Sequence, residues 1–557
     1  MELIQSFLNL VAPPFTVVSL GLLLPHYVVF KYFFSLVRGL FSEDVTGKVV
    51  LITGASSGIG ENLAYEYAKR GAQLALVARR ESSLEEAAEA ARYYGSPEVI
   101  TIAGDVSELS DCRRIIDDTM NHFGRLDHLV NNAGIANMTL FEEIIDITSF
   151  KKIMETNYWG SVYMTWLAIP YLKNRGGKII VASKAALRSF FETLRVEMSP
   201  EIGITVVTPG FVESEITKGK ALYSHGRMEV HQDVRDALVG AIPVETAAAC
   251  AKAIVRSACQ GDRYLTEPSW YNAAYYLKAF CPEVVEWCYR ILVYTTPGTS
   301  AAEALNKQIL DLTGAKTAMY PPSIHSHMAY EYAKRGAYLA LVARRENRLR
   351  EVAGVARFFG SPFALDVNFW GMVYCTYFAI PHLKQSRGKI IGISSSAAWL
   401  PVPRLSFYSA SKAAVISFYE TLRVEVGRDI GITIVTPGLV ESEMTQGKFM
   451  SKDGGLYLDQ ELRDAMVSAM PIMAIDSAVN GIVRSACRGD RYATEPRWMR
   501  MAFYYKTLWP ELVEWVNYLI GMTSSSPTDS FGKRLLELTG LKTWFYPESV
   551  RSQKLWL

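Results

Sequence analysis

The sequence has 557 residues, of which 50% are hydrophobic, and a formal net charge of +2. This length suits two to four domains with buried cores, and the balanced charge gives no sign of a disordered chain or of a nucleic-acid partner. The seven cysteines show no C-x-x-C spacing, which favours a reducing, cytosol-facing location. No metal site is predicted, because His325 and His327 have no carboxylate or thiol ligands at a suitable spacing.

Residues 1–42 are predicted to form a hydrophobic membrane anchor. Phe7–Phe30 contains no Asp, Glu, Lys or Arg, and its 24 residues could cross a hydrocarbon core of about 30 Å as a helix. Three prolines oppose a straight helix, so a bent hairpin held in one leaflet is an equal alternative, and a buried core helix is a third. Two basic residues follow the segment, which predicts that the rest of the chain faces the cytosol.

Three motifs occur twice, which indicates a duplicated domain. They begin at Ala64 and Ala329 (A-Y-E-Y-A-K-R-G-A), at Asn157 and Asn368 (N-Y-W-G and N-F-W-G), and at Ser183 and Ser411 (S-K-A-A). The offset between copies is 265, then 211, then 228 residues. Copy 2 (residues 326–557) therefore lacks 54 residues before Asn368, and copy 1 (residues 43–325) lacks 17 residues after Asn157.

Copy 1 begins with a strand, a glycine-rich loop and a helix. The apolar run Lys48–Thr53 predicts a buried parallel strand, and Glu61–Arg70 has helical periodicity. Glycines between them allow a tight turn and let the backbone approach a pyrophosphate, whose charge the amides at the helix start would receive. The candidate cofactor-binding residues of this loop are Gly54, Ser56, Ser57, Gly58, Ile59 and Gly60.

The second predicted strand, Gln73–Val77, ends in Ala78-Arg79-Arg80. A carboxylate there would select NAD by binding the adenosine ribose, and none is present. Two guanidinium groups can instead bind a 2′-phosphate, so Arg79 and Arg80 favour NADP. The alternative is a solvated basic turn.

Two further strand ends complete the predicted cofactor site. Val99–Gly104 leads into a short acid that can hydrogen-bond the adenine edge, and Leu126–Val130 leads into small residues that let the chain lie against a cofactor. The candidates are Asp105, Val106, Asn132, Ala133 and Gly134.

The motifs T-G-A-S-S-G-I-G, A-R-R, D-V and N-N-A-G, in this order, resemble the short-chain dehydrogenase/reductase family over about 45–270 and, in pieces, 328–500. With the proline-bearing leader and Y-L-T-E-P-S-W at Tyr264–Trp270, the chain resembles the plant 11-beta-hydroxysteroid dehydrogenase-like proteins called steroleosins. The resemblance implies an α/β fold with a doubly wound, Rossmann-like parallel sheet. It also implies NADP-linked interconversion of sterol-like alcohols and ketones, and attachment to an oil body or the endoplasmic reticulum.

Copy 2 carries the serine, tyrosine and lysine that this family's chemistry needs, as Ser395, Tyr408 and Lys412. Tyr408 and Lys412 are four residues apart on one face of a predicted helix, so we expect the ammonium group to lower the pKa of the phenol from about 10. Both would also contact the cofactor, and Ser395 would hydrogen-bond the substrate oxygen. The resemblance assigns Asn368 and Asn157 to a water chain that reaches the lysine.

Each copy lacks what the other keeps. In copy 1 the predicted strand Lys178–Val181 runs almost directly into Lys184, so the serine segment and the tyrosine are missing. Copy 2 begins at Met328, inside the first predicted helix, and has Arg344 and Arg345 but no glycine loop.

Three assemblies are consistent with these losses. In the first, the segment from about Lys389 completes the sheet of copy 1 with Tyr408 and the strand Thr433–Thr436, although copy 1 has a competing strand at Thr205–Thr208. In the second, two chains complement each other in a swapped homodimer. In the third, neither site assembles, and the chain is a remnant or the product of a mis-joined tandem gene.

The sequence thus predicts an NADP-dependent oxidoreductase that acts on a hydrophobic, sterol-like substrate at a lipid-droplet or endoplasmic reticulum surface. The family places its substrate lid at Phe211–Pro243 and Leu439–Pro471. The aromatic residues that follow each lid are either core or an interfacial belt. The rival hypothesis is a catalytically inactive coat or scaffold protein of lipid droplets.

Overall fold

A computed structural model describes residues 2–40, 42–182, 184–230, 244–293, 362–427, 429–442, 444–450, 456–467 and 470–522, together with 534, 537–539 and 546. The described residues form two compact units. The first unit takes its residues from Val29–Phe191 and Met198–Tyr320, and the second from Met1–Val28, Glu192–Glu197 and Pro321–Leu557.

The first unit is built on a parallel sheet of seven strands in the order β3-β2-β1-β4-β5-β6-β9. Its strands are β1 (Val49–Thr53), β2 (Gln73–Ala78), β3 (Val99–Ala103), β4 (His128–Asn131), β5 (Lys178–Ala182), β6 (Gly203–Pro209) and β9 (Tyr264–Glu267). Lys220–Leu222 (β7) and Met228–Val230 (β8) form a separate antiparallel pair. This order is that of a doubly wound sheet, in which strands are added toward one edge from β1 to β3 and toward the other edge from β4 onward. The predicted fold class is confirmed.

Helices connect the strands of this sheet. They are α2 (Gly58–Ala68), α3 (Glu81–Tyr93), α4 (Leu109–Phe123), α5 (Lys151–Met154), α6 (Gly160–Lys173), α7 (Ala185–Met198), α8 (Ala247–Gln260), α9 (Tyr271–Phe280) and α10 (Pro282–Val293). A π-helical turn at Glu155–Trp159 joins α5 to α6. β1 and β2 read as apolar runs because the central strands are buried on both faces, and Val50, Ile52, Leu74 and Leu76 are fully inaccessible to solvent.

Of the three assemblies, the first, in which copy 2 completes this sheet, is wrong. β5 pairs in parallel with β6, the competing strand of copy 1, from Lys178 with Gly203 to Ala182 with Val207. α7 still provides the crossover between them, so the local pairing needs no distant segment. A parallel pair needs a connection of roughly a dozen residues, and copy 1 retains that many.

The second unit has a smaller parallel sheet in the order β10-β11-β14. Its elements are α11 (Pro362–Leu365), α12 (Gly371–Ser386), β10 (Lys389–Ile393), α13 (Ser406–Val426), β11 (Gly431–Val435), β12 (Lys448–Met450), β13 (Leu456–Leu458), α14 (Gln460–Val467), α15 (Ile475–Arg488), β14 (Tyr492–Ala493), α16 (Arg500–Leu508) and α17 (Pro510–Met522). A π-helical turn at Asp366–Trp370 joins α11 to α12, as in copy 1. Lys389 pairs with Gly431 here, which repeats the register of Lys178 with Gly203.

One difference between the two copies is the loss of 17 residues from copy 1. β5 ends at Ala182 and α7 begins at Ala185, whereas β10 ends at Ile393 and α13 begins at Ser406. The segment Ser394–Ala410 therefore has no counterpart in copy 1. The loss removes the loop and first helical turns that would carry a serine and a tyrosine, and it leaves the crossover intact.

The leader forms a single helix, α1 (Glu2–Leu40), in place of the hairpin alternative. It is the one helix among the described residues that is long and apolar enough to cross a membrane. Phe7, Leu10 and Phe15 are exposed on it. In the second unit, two polar residues of α1 contact Trp498, which lies just before α16: Gln5 Oε1 accepts from Trp498 Nε1 at 2.7 Å, and Asn9 Oδ1 accepts from the Trp498 amide at 2.8 Å.

Candidate cofactor site and catalytic residues

The glycine loop of the first unit follows β1 at the point where the strand order reverses, which is where doubly wound sheets bind ligands. Gly54 and Gly58 have φ angles of +69° and +63°, which favour glycine. A Cβ added to Gly60 would lie 2.2 Å from the Gly54 carbonyl oxygen, so α2 approaches β1 too closely for any side chain there. The loop is thus held in a tight turn by backbone packing.

Hydrogen bonds join this loop to the end of β4. Asn132 Nδ2 donates to the Thr53 carbonyl oxygen at 3.0 Å, and Thr53 Oγ1 accepts from the amides of Asn132 and Ala133 at 3.0 and 3.2 Å. Ile59, at the start of α2, packs against the hydrophobic core. The tight turn, its anchored neighbour and the start of α2 fit a nicotinamide dinucleotide, with the loop amides binding the pyrophosphate.

The Arg80 guanidinium group connects the end of β2 to the glycine loop. Its Nη2 donates to Ser57 Oγ at 3.2 Å and to Ser56 Oγ at 3.4 Å. Its Nη1 lies 2.7 Å from Glu215 Oε1, which stands on the segment after β6. Arg80 therefore hydrogen-bonds to the hydroxyls of the glycine loop, while 44% of its side chain remains accessible to solvent.

Arg79 pairs with the end of β3. Its Nη1 lies 3.4 Å from Asp105 Oδ2, and Asp105 Oδ1 accepts from the Ser107 amide at 3.0 Å. Val106 is buried, and a Cβ on Gly160 would lie only 2.8 Å from Val106 Cγ2. The ends of β2 and β3 thus present two arginines and one carboxylate at one edge of the sheet.

At the end of β4, Asn157 fixes the backbone after Gly134. Its Oδ1 accepts from the Ile135 amide and its Nδ2 donates to the Ile135 carbonyl, both at 2.7 Å. Lys184 also reaches this point, because a Cβ added to Gly134 would meet Lys184 Nζ at 2.4 Å. Lys184 is an exposed residue by its accessible surface.

In the second unit, Ser395, Tyr408 and Lys412 come together as predicted. The Ser395 hydroxyl hydrogen-bonds with the Tyr408 hydroxyl, and Lys412 Nζ lies 5.7 Å from the Tyr408 ring centroid. Lys412 Nζ also donates to the Ile393 carbonyl oxygen at 3.4 Å. Phenol, hydroxyl and ammonium groups in this arrangement can donate hydrogen bonds and a proton to a carbonyl oxygen.

The pKa expected for the phenol is wrong in direction. Burial raises the pKa of Tyr408 and the Ser395 hydrogen bond lowers it only in part. Burial also lowers the pKa of Lys412 to about 8. Desolvation is therefore the dominant cause at both groups.

Asn368 contacts the same helix by another route. Its Nδ2 donates to Ser411 Oγ at 3.0 Å, and Ser411 Oγ donates to the Tyr408 carbonyl oxygen at 2.8 Å. Asn368 thereby links the π-helical turn to the first turns of α13. Asn157 instead bonds to a neighbouring loop, so the two asparagines differ in their partners although their motifs match.

Some sequence candidates lie outside the described residues, namely Ser183, His325, His327, Met328, Arg344 and Arg345. Within the described part of the chain, no group of three or more His, Cys, Asp or Glu side chains could hold a metal ion.

Comparison with known proteins agrees with this geometry. The family model described as short chain dehydrogenase matches residues 48–183 and 363–453. The chain is also 56% identical over 343 residues to the 11-beta-hydroxysteroid dehydrogenase A of Arachis hypogaea, and it covers 98% of that protein. The chain belongs to the short-chain dehydrogenase family. It is an oxidoreductase of that family by descent, and its two matched regions are the two incomplete copies.

Other plant relatives are similar to the same extent. The chain is 53% identical to the 11-beta-hydroxysteroid dehydrogenase A of Sesamum indicum and to the 11-beta-hydroxysteroid dehydrogenase 1A of Arabidopsis thaliana, over 341 and 343 residues. Each alignment uses 58% of this chain and 98% of the relative. Since 58% of 557 residues is about 323, about 20 of the 343 aligned positions have no residue in this chain, which is close to the 17 that copy 1 lacks.

Two residues of the first unit were not among the predicted site residues. Lys184 was visible in the repeated S-K-A-A motif, but without a tyrosine before it the residue had no assigned role. Glu215 gave no sequence signal, because its partner Arg80 is 135 residues away in the chain. Only the fold brings them together.

Proposed function

We propose that the protein is an NADP-dependent oxidoreductase that interconverts a hydroxyl and a ketone on a sterol-like hydrophobic substrate. Copy 1 supplies the residues that bind the cofactor, and copy 2 supplies Tyr408 as the acid/base. The observation that carries the proposal is the position of Arg80, with its guanidinium on the hydroxyls of Ser56 and Ser57 at the glycine loop.

The choice of NADP over NAD follows from charge at the end of β2. Arg79 and Arg80 stand where an NAD-selective protein of this fold would carry a carboxylate. A guanidinium binds a phosphate with two parallel hydrogen bonds, and the two serine hydroxyls add further donors. Asp105 pairs with Arg79 and would orient it toward the nucleotide.

The chemistry divides between cofactor and protein. A nicotinamide dinucleotide supplies or accepts the hydride. Tyr408 gives the proton to the carbonyl oxygen, or takes it from the hydroxyl, while Ser395 donates a hydrogen bond to the same oxygen. Lys412 favours the phenolate during this exchange, and Asn368 holds the start of α13 through Ser411.

The substrate class and the location rest on different observations. The relatives are named as 11-beta-hydroxysteroid dehydrogenases, which supports a sterol-like alcohol or ketone. The exposed apolar side chains of α1 support attachment to a lipid droplet or endoplasmic reticulum membrane, with the folded units in the cytosol. A substrate dissolved in that lipid would reach the protein without crossing water.

The test begins with nicotinamide fluorescence. Titration of the purified full chain with NADPH should show saturable binding below about 1 mM, within the range of ordinary cofactor affinities. Tyr408→Phe should abolish turnover of a sterol ketone and leave NADPH affinity unchanged. Persistent turnover in Tyr408→Phe would reject the assigned acid/base.

The alternative is a catalytically inactive coat protein, which uses only α1 and the folded units. It is favoured by the losses in the sequence, since copy 1 lacks the tyrosine and copy 2 lacks the glycine loop. Absence of NADPH binding would support it. Mixing Gly60→Ala with Tyr408→Phe chains separates a third case: turnover that appears only in the mixture would indicate two chains that complement each other.

A further inference from the structure

The Arg80 guanidinium is shared between the glycine loop and an acidic residue from a distant segment. Its Nη2 faces Ser56 and Ser57, whereas its Nη1 is 2.7 Å from Glu215 Oε1. The other carboxylate oxygen, Glu215 Oε2, lies 2.9 Å from Lys220 Nζ. Glu215 therefore bridges two cations, one of which is the residue that argues for NADP.

The segment that carries Glu215 is firmly shaped. The Ser214 amide donates to Thr217 Oγ1 at 2.8 Å, and Thr217 Oγ1 donates to the Val212 carbonyl oxygen at 3.1 Å. The segment also packs on the glycine loop itself, because a Cβ added to Gly58 would lie 3.4 Å from Ser214 Cβ. The hydrogen bonds of this local turn thus hold Glu215 beside Arg80.

We propose that Glu215 is a specificity-determining residue. Its carboxylate holds Arg80 and thereby fastens the 211–220 segment to the glycine loop, and we call this ion pair the latch. The 2′-phosphate of a nucleotide displaces Glu215 from Arg80 and opens the latch. The inference rests on the proposed NADP binding. NAD has no 2′-phosphate to compete for Arg80, so it binds beside the intact latch. NADP must break the Arg80–Glu215 pair, and it then meets the repulsion of a nearby carboxylate.

Burial alone would raise the pKa of the Glu215 carboxyl, but its hydrogen bonds with Lys220 and Arg80 lower that pKa, so it is ionised at neutral pH. The charged groups that contact Glu215 are Arg80 and Lys220. Asp105 pairs with Arg79, the residue before Arg80. The pair is partly exposed, with 44% of the Arg80 side chain and 37% of the Glu215 side chain accessible. Solvent therefore screens it, and the effect on affinity is moderate.

Glu215→Gln keeps the shape of the side chain and removes its charge. It should lower the Kd for NADPH by roughly three- to tenfold and leave the Kd for NADH unchanged within roughly a factor of two. Glu213→Gln is the matched control, because Glu213 lies two residues away and contacts Lys218 instead. The control should change neither Kd.

A double-mutant cycle isolates the pair. In an Arg80→Gln chain, which no longer offers the guanidinium, Glu215→Gln should have no further effect on NADPH affinity. Hydrogen exchange gives a second readout that does not depend on activity: NADP⁺ should speed amide exchange over residues 211–220 in the full chain, and NAD⁺ should not. Glu215→Asp, which shortens the side chain, serves if the glutamine variant does not fold.

The outcomes distinguish a failure of the latch from a failure of the proposed function. If the parent chain binds NADPH but Glu215→Gln weakens it, or shifts both nucleotides equally, Glu215 merely shapes the loop and the latch is refuted. The same holds if NAD⁺ and NADP⁺ change the exchange of 211–220 alike. If the parent chain binds neither nucleotide, the proposed function fails and the latch fails with it.

Discussion

At two matching positions, one copy has Tyr where the other has Phe, and these positions give a direct test of packing in both units. Tyr158 packs edge-on against Phe190 with ring centroids 6.0 Å apart, and at the matching position Phe369 packs on Phe418 at 6.2 Å. The Tyr158 hydroxyl is buried and has no hydrogen-bond partner among the described residues. Tyr419 is the reverse case, since its hydroxyl bonds to Thr376 Oγ1 at 2.6 Å.

We expect Tyr158→Phe to stabilise the protein. A buried hydroxyl without a partner costs about 1–3 kcal/mol, and the small void left by its removal returns only part of that, so the free energy of unfolding should rise by about 1 kcal/mol. The transition of the first unit should then shift upward by about 2–4 °C. Tyr419→Phe deprives Thr376 of its partner and should destabilise the second unit by about 1–3 kcal/mol.

Urea unfolding of the two variants beside the parent chain measures both effects, with calorimetry to separate the transitions of the two units. The opposite signs are the key result, because both substitutions remove one oxygen from a buried ring. If Tyr158→Phe lowered the free energy of unfolding, the Tyr158 hydroxyl of the parent chain would have a hydrogen-bond partner in solution. The packing described around α6 and α7 would then be incorrect.

Three further outcomes follow from the first unit. Gly60→Ala should abolish NADPH binding and lower the melting temperature, because the added Cβ meets backbone. Gly203→Ala is the control: its Cβ meets the Lys178 stem, with Cγ at 3.2 Å, and it should leave NADPH binding intact. Fluorescence titration compares the two variants. Insertion of Ser394–Ala410 after Ala182 should make copy 1 a complete site, with NADPH-dependent turnover that survives Tyr408→Phe. Burial lowers the pKa of His128 below its ordinary value of 6.5, so the unfolded chain binds a proton at His128 more readily than the folded chain does. The free energy of unfolding should therefore fall as the pH drops below about 6.5. Urea midpoints at pH 7.5 and 5.5 measure this loss of stability, and His128→Gln should reduce it.

Much of the first unit could be predicted from local sequence. The strands of the sheet lie where apolar runs meet turn residues, and the glycine loop, Arg80 and Asn132 stand at strand ends as expected. These features are local, because a buried parallel strand is set by a short apolar run and a glycine turn by its own backbone. The fold class followed from their order.

The failures concern interactions between distant residues. The sequence could not decide whether β6 or a strand of copy 2 would pair with β5, since both have the same apolar pattern, and the shorter connection prevailed. The pKa of Tyr408 went in the opposite direction because burial depends on the whole surrounding fold. The Glu215–Arg80 pair was invisible for the same reason.

Steady-state turnover of a sterol ketone with NADPH, by the full chain and by Tyr408→Phe, tests the central claim most directly. We expect ketone reduction by the full chain and none by the variant, with equal NADPH affinity in both. Equal rates in the two proteins, or no reduction by a full chain that binds NADPH, would contradict it.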